Sequence, residues 1–269
     1  GKSGIQNSTL GFEKIFYISM PERTDRQDTM RLIASYMDLD FTYVPGVNGS
    51  TIVDKALPYD PIKKPPKAPT PAELGCWRAH ANIWTEIIQS GITSALILED
   101  DIDFTVGIRD VLTGVSQHLH RLTGASNGDE FGLVDKEDWD VLHLGHCWNE
   151  RPPEKTHPIA SMIYEAWEDE YAPAKEQYVY LVPGAKSQRI RVLQPTYVVV
   201  CTQAYVVSLA GAQRLLYHVG GPGGSLYEPI DIVMMNLFQS GKIKGYTAVP
   251  SIFSQWKNGD SRDTDIQKA

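Results

Sequence analysis

The stretch that decides the fold is LILEDDIDF, Leu96–Phe104, in which an apolar run ends in three consecutive carboxylates. The run Ala95–Leu98 lacks the polar alternation of a half-exposed strand, so it predicts a fully buried one. Glu99, Asp100 and Asp101 cannot stay in that environment, because each unpaired charge would cost several kcal/mol to desolvate. We therefore expect them to emerge at the carboxyl end of the strand, where open α/β sheets form their ligand crevices.

These carboxylates favour a cation site. Hard oxygen ligands at a strand end suit Mn²⁺ or Mg²⁺, and such a cation suits a diphosphate. Glu99 and Asp101 stand like the ends of a D-x-D motif, and Asp101 and Asp103 are the expected cation ligands. Glu99 or Asp100 would then bind ribose or sugar hydroxyls. The alternative is that these acids only cap the following helix.

The composition limits the choice of partners. The chain has 269 residues, which suits one large α/β domain or two small ones. Its 25 basic and 33 acidic residues give a net charge of −8, which argues against nucleic acid or anionic membranes as partners. No run approaches the ~18 apolar residues of a membrane span. We expect no membrane contact by this segment, although the sequence is compatible with an N-terminal anchor that has been removed.

Strand-like and helix-like segments alternate, which predicts an α/β fold with a mainly parallel central sheet and helices on both faces. The predicted strands are Lys14–Met20, Phe41–Val44, Ala95–Leu98, Trp139–Leu144, Thr196–Val200 and Ala204–Val207. The predicted helices are Arg26–Met37, Ala72–Gln89, Ile108–Leu122, Leu209–His218 and Glu228–Ser240. We expect a disordered or non-native N-terminus over residues 1–13, a proline-rich loop over 58–71 and an irregular acceptor-side region over 146–195, all within one domain.

Polar residues follow the first predicted strand. Ser19 and Met20 end it, and Arg23 and Arg26 come next, where a nucleotide would lie across the carboxyl edge of the sheet. Arginine can fork onto phosphate oxygens or stack on a base. A solvated helix N-terminus, with Asp25 favourable to the helix dipole, explains the same residues equally simply.

Two further positions allow a nucleotide-sugar contact. Asn48 and Gly49 follow the second predicted strand and would close around base or ribose, although a plain turn explains them as well. His80 lies in a predicted helix, where it is either a hydrogen-bonding partner of sugar hydroxyls or a buried structural histidine. Cys76 in the same helix lies between large apolar residues and is interpreted as packing.

Seven segments, in this order along the chain, carry a resemblance to a known family. They are KIFYISMPERTDRQDTM (Lys14–Met30), the Gly46–Gly49 turn, AELGCWRAHANIW (Ala72–Trp84), ALILEDD (Ala95–Asp101), WDVLHLG (Trp139–Gly145), AYVVSLAGAQRLL (Ala204–Leu216) and EPIDIVM (Glu228–Met234). Together they resemble glycosyltransferase family 25, the group of lipooligosaccharide and collagen galactosyltransferases. The resemblance implies a single GT-A-type nucleotide-diphospho-sugar transferase domain, a metal-assisted diphosphate site and inverting transfer, commonly from UDP-galactose. The family usually has Ser-His where this chain has Ala79-His80.

The resemblance also suggests a catalytic base. Glu228 and Asp231 flank Pro229 at the start of a predicted helix, and helix capping alone would explain them. The family carries a Pro-acidic pair here near the acceptor, and inverting transfer needs a base for the acceptor hydroxyl. Asp231 is therefore the expected base, with Glu228 beside it. The expected acceptor-side residues are Gly145, His146, Gln255 and Trp256.

The cysteines bear on the compartment. Cys76, Cys147 and Cys201 are too few for a disulfide scaffold and are not spaced for zinc. Cys147 and Cys201 each follow a predicted strand end, so they either form a disulfide or are unpaired buried residues. A disulfide would favour the Golgi lumen or another secretory compartment over the cytoplasm.

We therefore expect a metal-dependent inverting transferase that moves a hexose, most simply galactose from UDP-galactose, onto a saccharide or glycoconjugate hydroxyl. One alternative is the same fold acting on UDP-glucose, UDP-xylose or UDP-N-acetylglucosamine, or hydrolysing the donor. Another is a catalytically inactive relative that acts as a carbohydrate-binding or adhesion module.

Overall fold

The computed structural model describes residues 4–58, 68–124, 139–151, 164–174, 189–221 and 226–256. Most of the predicted proline-rich loop and much of the irregular region over 146–195 lie outside these ranges. The first half contains β1 (Lys14–Ser19), α1 (Thr24–Met37), β2 (Phe41–Pro45), α2 (Pro71–Ser90), β3 (Ser94–Glu99), β4 (Ile102–Phe104) and α3 (Ile108–Thr123). The second contains β5 (Val141–Gly145), β6 (Trp148–Glu150), β7 (Glu165–Glu168), β8 (Ile190–Pro195), β9 (Val198–Val200), β10 (Ala204–Ser208), α4 (Leu209–Leu215), α5 (Ile230–Gln239), β11 (Gly245–Val249) and β12 (Phe253–Gln255).

The main sheet has eight strands in the order β2-β1-β3-β10-β5-β11-β8-β7. Six of them run in one direction, whereas β10 and β8 are antiparallel to their neighbours. The carboxyl ends of β1, β2, β3, β5 and β11 therefore lie along one edge. The predicted α/β fold with a mainly parallel sheet is confirmed, with two reversed strands that the sequence did not predict.

The two faces of the sheet bury separate cores. Side chains alternate along β3, so Leu96 and Leu98 pack with α1 and α3 on one face. Ala95 and Ile97 pack with α2, α4 and α5 on the other face. All four side chains are fully buried. Both faces are thus covered by helices, as predicted from the unbroken apolar run.

Most predicted elements agree with the observed bounds to within two residues. The helix predicted to reach His218 ends at Leu215 and continues as a π-helical turn, Leu216–Gly220. Pro71, expected in the proline-rich loop, is instead the first residue of α2. A capping box between Thr70 and Glu73 fixes this helix start, and proline is favourable at the first position because its missing N–H has no partner there.

Two expectations are wrong. Residues 4–13 are not disordered, because Ile5, Leu10 and Phe12 are buried in the core formed with α1 and α3. The backbone N–H of Asp40 also donates to the Ser8 carbonyl at 2.8 Å. Within the irregular region, β8 is a fully buried strand of the main sheet.

In the described part of the chain, no helix combines the length and apolarity needed to cross a bilayer.

Candidate functional site

The three carboxylates lie where β3 ends. Glu99 is the last residue of β3, and Asp100 and Asp101 form the turn into β4. The short strand β12 pairs antiparallel with β4 and brings Gln255 and Trp256 to the same place. Gln255 Nε2 donates to Asp101 Oδ2 at 2.8 Å, and the Trp256 N–H donates to the Asp101 carbonyl at 2.6 Å. The predicted emergence of these acids at the carboxyl edge is therefore observed.

Arg26 is the counter-charge of this cluster. It lies in the first turns of α1, is buried, and donates from Nη1 to Asp100 Oδ1 at 2.7 Å. Its Nη2 lies 3.6 Å from Asp101 Oδ2. Arg23 forks instead onto Asp25 at 3.0 and 2.9 Å, and this hydrogen bonding lowers the pKa of Asp25 to about 2. Arg26 thus orders the acidic turn, and Arg23 is engaged at the helix N-terminus.

Asp101 fits a cation ligand. Its Oδ1 is buried without a hydrogen-bond partner, and burial raises the pKa of the carboxyl group. Buried oxygens normally have partners, so this one has acceptor capacity left for a ligand. Asp103 is exposed on β4 and accepts the Phe104 N–H at 2.8 Å. Within the described ranges, no three His, Cys, Asp or Glu side chains are grouped to hold a metal.

Glu99 and Asp231 are held by one segment, residues 201–203. Thr202 Oγ1 donates to Glu99 Oε1 at 2.7 Å. Burial, followed by repulsion from Asp101, raises the pKa of Glu99 to about 7, and Asp231 contributes to that repulsion. Asp231, in the first turn of α5, accepts the Cys201 N–H at 2.8 Å and the Ile232 N–H at 2.9 Å. Its carboxylate is therefore oriented through both oxygens.

Glu228 has a different environment from Asp231. It is exposed, and Asn236 Nδ2 donates to its Oε2 at 3.3 Å. Of the two predicted acids on this segment, Asp231 is the one whose charge acts on Glu99 at the carboxyl edge.

His80 is a buried structural histidine in this structure. Its Nδ1 lies 2.9 Å from the Tyr205 hydroxyl, which also accepts the Trp84 indole N–H at 3.1 Å. Burial lowers the pKa of His80 to about 4, so the imidazole is neutral and its Nδ1 shares one hydrogen bond with the Tyr205 hydroxyl. The sequence left two roles open for His80, contact with sugar hydroxyls and a buried structural role. Its contacts correspond to the structural role, because they link α2 to β10.

Asn48 and Gly49 form a tight turn against α2. Asn48 Oδ1 accepts the Ser50 N–H at 3.0 Å and so caps a short 3-10 helix. A Cβ on Gly49 would collide with the Pro71 carbonyl oxygen, so glycine is needed for this close approach. Ser19 is buried at the end of β1, and the Met20 carbonyl accepts the Gln27 side-chain amide at 2.9 Å. These residues lie at the carboxyl edge of the sheet, and their contacts also fix the local backbone conformation.

The expected acceptor-side residues divide into two groups. Gly145 and His146 are internal: a Cβ on Gly145 would lie 2.8 Å from the Phe253 carbonyl oxygen, and His146 Nε2 is bonded to the Ala248 carbonyl at 3.0 Å. Gln255 holds Asp101, as described above. Trp256 remains 48% exposed next to Asp101. It is therefore the member of the group that is accessible to a substrate.

Of the two alternatives left open for Cys147 and Cys201, the disulfide is the one present, with Cα atoms 5.5 Å apart. It joins β6 to β9, which pair antiparallel. Cys76 is a free thiol whose pKa burial raises far above its ordinary value, which fits the predicted packing role. Sequence reasoning missed Thr202, because a single hydroxyl residue after an apolar run carries no motif.

Comparison with known proteins identifies the family. A family model described as "Glycosyltransferase family 25 (LPS biosynthesis protein)" matches residues 12–234. Procollagen galactosyltransferase 1 of Danio rerio is 26% identical over 220 residues, covering 78% of this chain and 29% of that protein. Procollagen galactosyltransferase 1-B of Xenopus laevis is 25% identical over 249 residues, covering 89% of this chain and 33% of that protein.

A third relative is named as inactive. The "Probable inactive glycosyltransferase 25 family member 3" of Rattus norvegicus is 26% identical over 217 residues, covering 78% of this chain and 30% of that protein. The chain thus spans about a third of the length of these relatives. A solved glycosyltransferase involved in the glycosylation of the major capsid of PBCV-1 aligns over 93% of this chain and 94% of its own, at 10% identity and a TM-score of 0.32, too low to carry an argument. The family match over residues 12–234 confirms the resemblance, and the chain belongs to glycosyltransferase family 25.

Proposed function

We propose that this chain transfers a hexose, galactose from UDP-galactose, to a hydroxyl group of a saccharide or glycoconjugate, with inversion at C1. Two observations at the carboxyl edge of the sheet carry the proposal. Asp100 and Asp101 lie on Arg26, and the adjacent residues Cys201 and Thr202 hold Asp231 and Glu99. Family membership supports glycosyl transfer, and the names of the two procollagen galactosyltransferases support galactose as the donor sugar.

The electrostatics of the site support dependence on Mn²⁺ or Mg²⁺. Four carboxyl groups and one guanidinium line this edge of a chain with a net charge of −8, so a bare diphosphate would be repelled. Asp101 would hold the cation through its unpartnered Oδ1. When bound, the cation neutralises the charge that develops on the departing diphosphate. Arg26 keeps Asp100 and Asp101 in place for that contact.

Glu99 and Asp231 have complementary tasks in this mechanism. Glu99, held by Thr202, can accept hydrogen bonds from hydroxyl groups of the donor. Asp231 takes the proton of the acceptor hydroxyl as that oxygen attacks C1. The bond from C1 to the diphosphate oxygen breaks on the opposite face of the sugar, which inverts the configuration. The two backbone N–H groups on Asp231 hold its carboxylate in one orientation.

On the acceptor side, we retain Trp256. Trp256 is 48% exposed, and its backbone N–H is bonded to the Asp101 carbonyl, so the residue is next to the acidic turn. Exposed tryptophan combines a large apolar face with a polar N–H, which suits the mixed surface of a sugar ring.

A donor panel tests the function. The chain is incubated with Mn²⁺ and UDP-galactose, UDP-glucose, UDP-xylose or UDP-N-acetylglucosamine, with simple saccharides and a procollagen peptide as acceptors. We expect UDP release together with a mass increase of one hexose on an acceptor, and the highest rate with UDP-galactose. UDP release without product would indicate hydrolysis, and a faster rate with another donor would reassign the sugar.

The second candidate function is non-catalytic carbohydrate binding. The relative from Rattus norvegicus with "inactive" in its name supports this candidate. Its identity to the chain, 26%, equals that of procollagen galactosyltransferase 1 of Danio rerio. The two candidates differ in turnover rather than in binding. A chain that is stabilised by UDP and Mn²⁺ but releases no UDP from any donor would favour the non-catalytic role.

We further propose that this chain acts in the Golgi lumen or another secretory compartment. The disulfide between Cys147 and Cys201 supports an oxidising compartment, because such bonds are rare in the cytosol. Alkylation of the unreduced protein in denaturant, which exposes the partly buried Cys76, followed by peptide mapping should label Cys76 alone. Labelling of all three cysteines would remove this support and favour a cytoplasmic protein.

A further inference from the structure

The connection from β9 to β10, residues 201–203, contacts both carboxylates to which we assign sugar and acceptor chemistry. The Cys201 N–H donates to Asp231 Oδ2 at 2.8 Å. Thr202 Oγ1 donates to Glu99 Oε1 at 2.7 Å, and the Glu99 N–H donates to the Gln203 carbonyl at 3.0 Å. Three consecutive residues thus fix a carboxylate of β3 and a carboxylate of α5, two elements far apart in the sequence.

This connection is itself anchored at Cys147. The disulfide ties Cys201 to Cys147, whose N–H donates to the Val200 carbonyl at 2.9 Å. Gln203 Nε2 lies 3.4 Å from Cys147 Sγ. Cys201 has φ of 74°, a left-handed conformation that is unfavourable for a residue with a Cβ and persists where its surroundings enforce it. The disulfide is one of the contacts of Cys201 in this conformation, in which the Cys201 N–H donates to Asp231.

The diphosphate side of the site is held independently. Asp101 is fixed by Gln255 and Trp256 of the β4–β12 pair, and Asp100 is fixed by Arg26 of α1. None of these three contacts involves residues 201–203. A change in the connection should therefore act on Glu99 and Asp231 and leave the nucleotide contacts in place.

We propose that the disulfide-anchored segment Cys201–Gln203 is a positioning device that sets Glu99 and Asp231 relative to each other, with Thr202 as its principal side chain. The role of this device in turnover rests on the function proposed above. Opening the disulfide releases Cys201 and misaligns both carboxylates, so the reduced enzyme binds nucleotide and turns over slowly.

The hydroxyl of Thr202 is tested by a matched pair of variants. Thr202→Val keeps the shape and removes the donor to Glu99, whereas Thr202→Ser keeps the donor. We expect kcat of Thr202→Val to fall by about 10–100-fold, the usual effect of losing a hydrogen bond to a charged group, with unchanged UDP affinity. Thr202→Ser should recover kcat to within about threefold of wild type. Equal kcat values for Thr202→Val and wild type would overturn the role of Thr202.

The disulfide is tested with TCEP, using the Cys147→Ser/Cys201→Ser double variant and Cys76→Ser as controls. Because the chain has three cysteines and Cys76 is free, reduction acts on one bond. Wild type and Cys76→Ser should lose about tenfold or more in kcat on reduction, with unchanged UDP affinity, while the double variant should be slow in either condition. A reduced wild type with full kcat would overturn the proposal.

A measurement without turnover separates this proposal from the proposed function. NMR hydrogen exchange of the Cys201 amide reports its bond to Asp231 directly, and we expect exchange to rise by about tenfold on reduction. If no donor is turned over but exchange rises, the proposed function fails and the positioning role stands. If exchange is unchanged, the positioning role fails whatever the activity.

Discussion

Asp101 and Asp231 differ in what already occupies their carboxylate oxygens. One oxygen of Asp101 accepts from Gln255 and the other is buried without a partner, which leaves a ligand position open. Both oxygens of Asp231 accept backbone N–H groups, which fixes the direction of the carboxylate. A metal ligand needs an open oxygen, as in Asp101, whereas a positioned base needs a fixed carboxylate, as in Asp231. Single substitutions should therefore separate the two roles.

Asp101→Asn should abolish the stabilisation of the protein by UDP and Mn²⁺, because it removes the ligand charge without changing side-chain shape. In wild type, nucleotide at about 100 times its Kd should add about 2.7 kcal/mol to the free energy of unfolding. Thermal shift with and without Mn²⁺ measures this difference. Asp103→Asn is the comparison. Because the Asp103 carboxylate is exposed, this variant should keep the wild-type thermal shift with UDP and Mn²⁺. A loss of that shift in Asp103→Asn would make Asp103 a second ligand. A wild-type shift in Asp101→Asn would remove Asp101 from the cation site.

Asp231→Asn should lower kcat by roughly 10²–10⁴-fold, the usual contribution of a positioned base. UDP binding should be unchanged, since the nucleotide contacts are assigned to Asp101 and Arg26. The charge lost at the start of α5 should cost at most ~1 kcal/mol of stability, too little to unfold a typical domain. Glu228→Gln is the matched control and should keep near-normal kcat. The reverse result, a slow Glu228→Gln and a fast Asp231→Asn, would move the base to Glu228.

At the scale of elements, the strands and helices were largely predictable, but their order and direction were not. The apolar run of β10 marks a strand, yet nothing in it shows that β10 enters the sheet antiparallel between β3 and β5. That reversal brings Thr202 to Glu99, so the contact had no signal in the sequence. The three-residue strands β4 and β12 are too short for any periodicity, although their pairing places Gln255 on Asp101.

The buried His80, at the contact between α2 and β10, makes the free energy of unfolding depend on pH. Burial lowers the folded-state pKa of His80 to about 4, against about 6.5 when unfolded, so the unfolded chain binds the proton more tightly. The stabilising contribution is therefore complete above pH 6.5 and is lost as the pH falls towards 4. By linkage, a fall from pH 7 to about 4.5 should remove roughly 2–3 kcal/mol through this residue.

His80→Asn isolates that contribution. The asparagine side-chain amide, which has both a donor and an acceptor, can replace Nδ1 as partner of the Tyr205 hydroxyl but does not titrate in this range. Urea unfolding at pH 7 and pH 4.5 should show a smaller loss of stability for the variant than for wild type. His143, whose pKa burial lowers to about 3, should leave a residual pH dependence in both proteins. Identical losses in the two proteins would exclude His80 as the titrating group.

At the scale of the whole molecule, the N-terminal segment completes one of the two cores. The sequence of residues 4–13 is rich in glycine and polar residues, and its three apolar side chains lack periodicity, which is why disorder was the expectation. In the fold, Ile5, Leu10 and Phe12 fill the space beside α1 and α3. Burial of this kind depends on a cavity formed by distant elements, and local sequence patterns do not report such cavities.

Phe12→Ala should therefore destabilise the protein by about 3–5 kcal/mol, the usual cost of removing a buried aromatic ring. Phe12 is 2% exposed and precedes β1, whose amino end lies at the edge opposite the carboxylates. UDP and Mn²⁺ should therefore still bind to the folded fraction. Gln6→Ala, at an exposed position of the same segment, is the control and should change stability by less than about 0.5 kcal/mol. Urea unfolding measures both variants, and a cost below about 1 kcal/mol for Phe12→Ala would show that the segment is not part of the core.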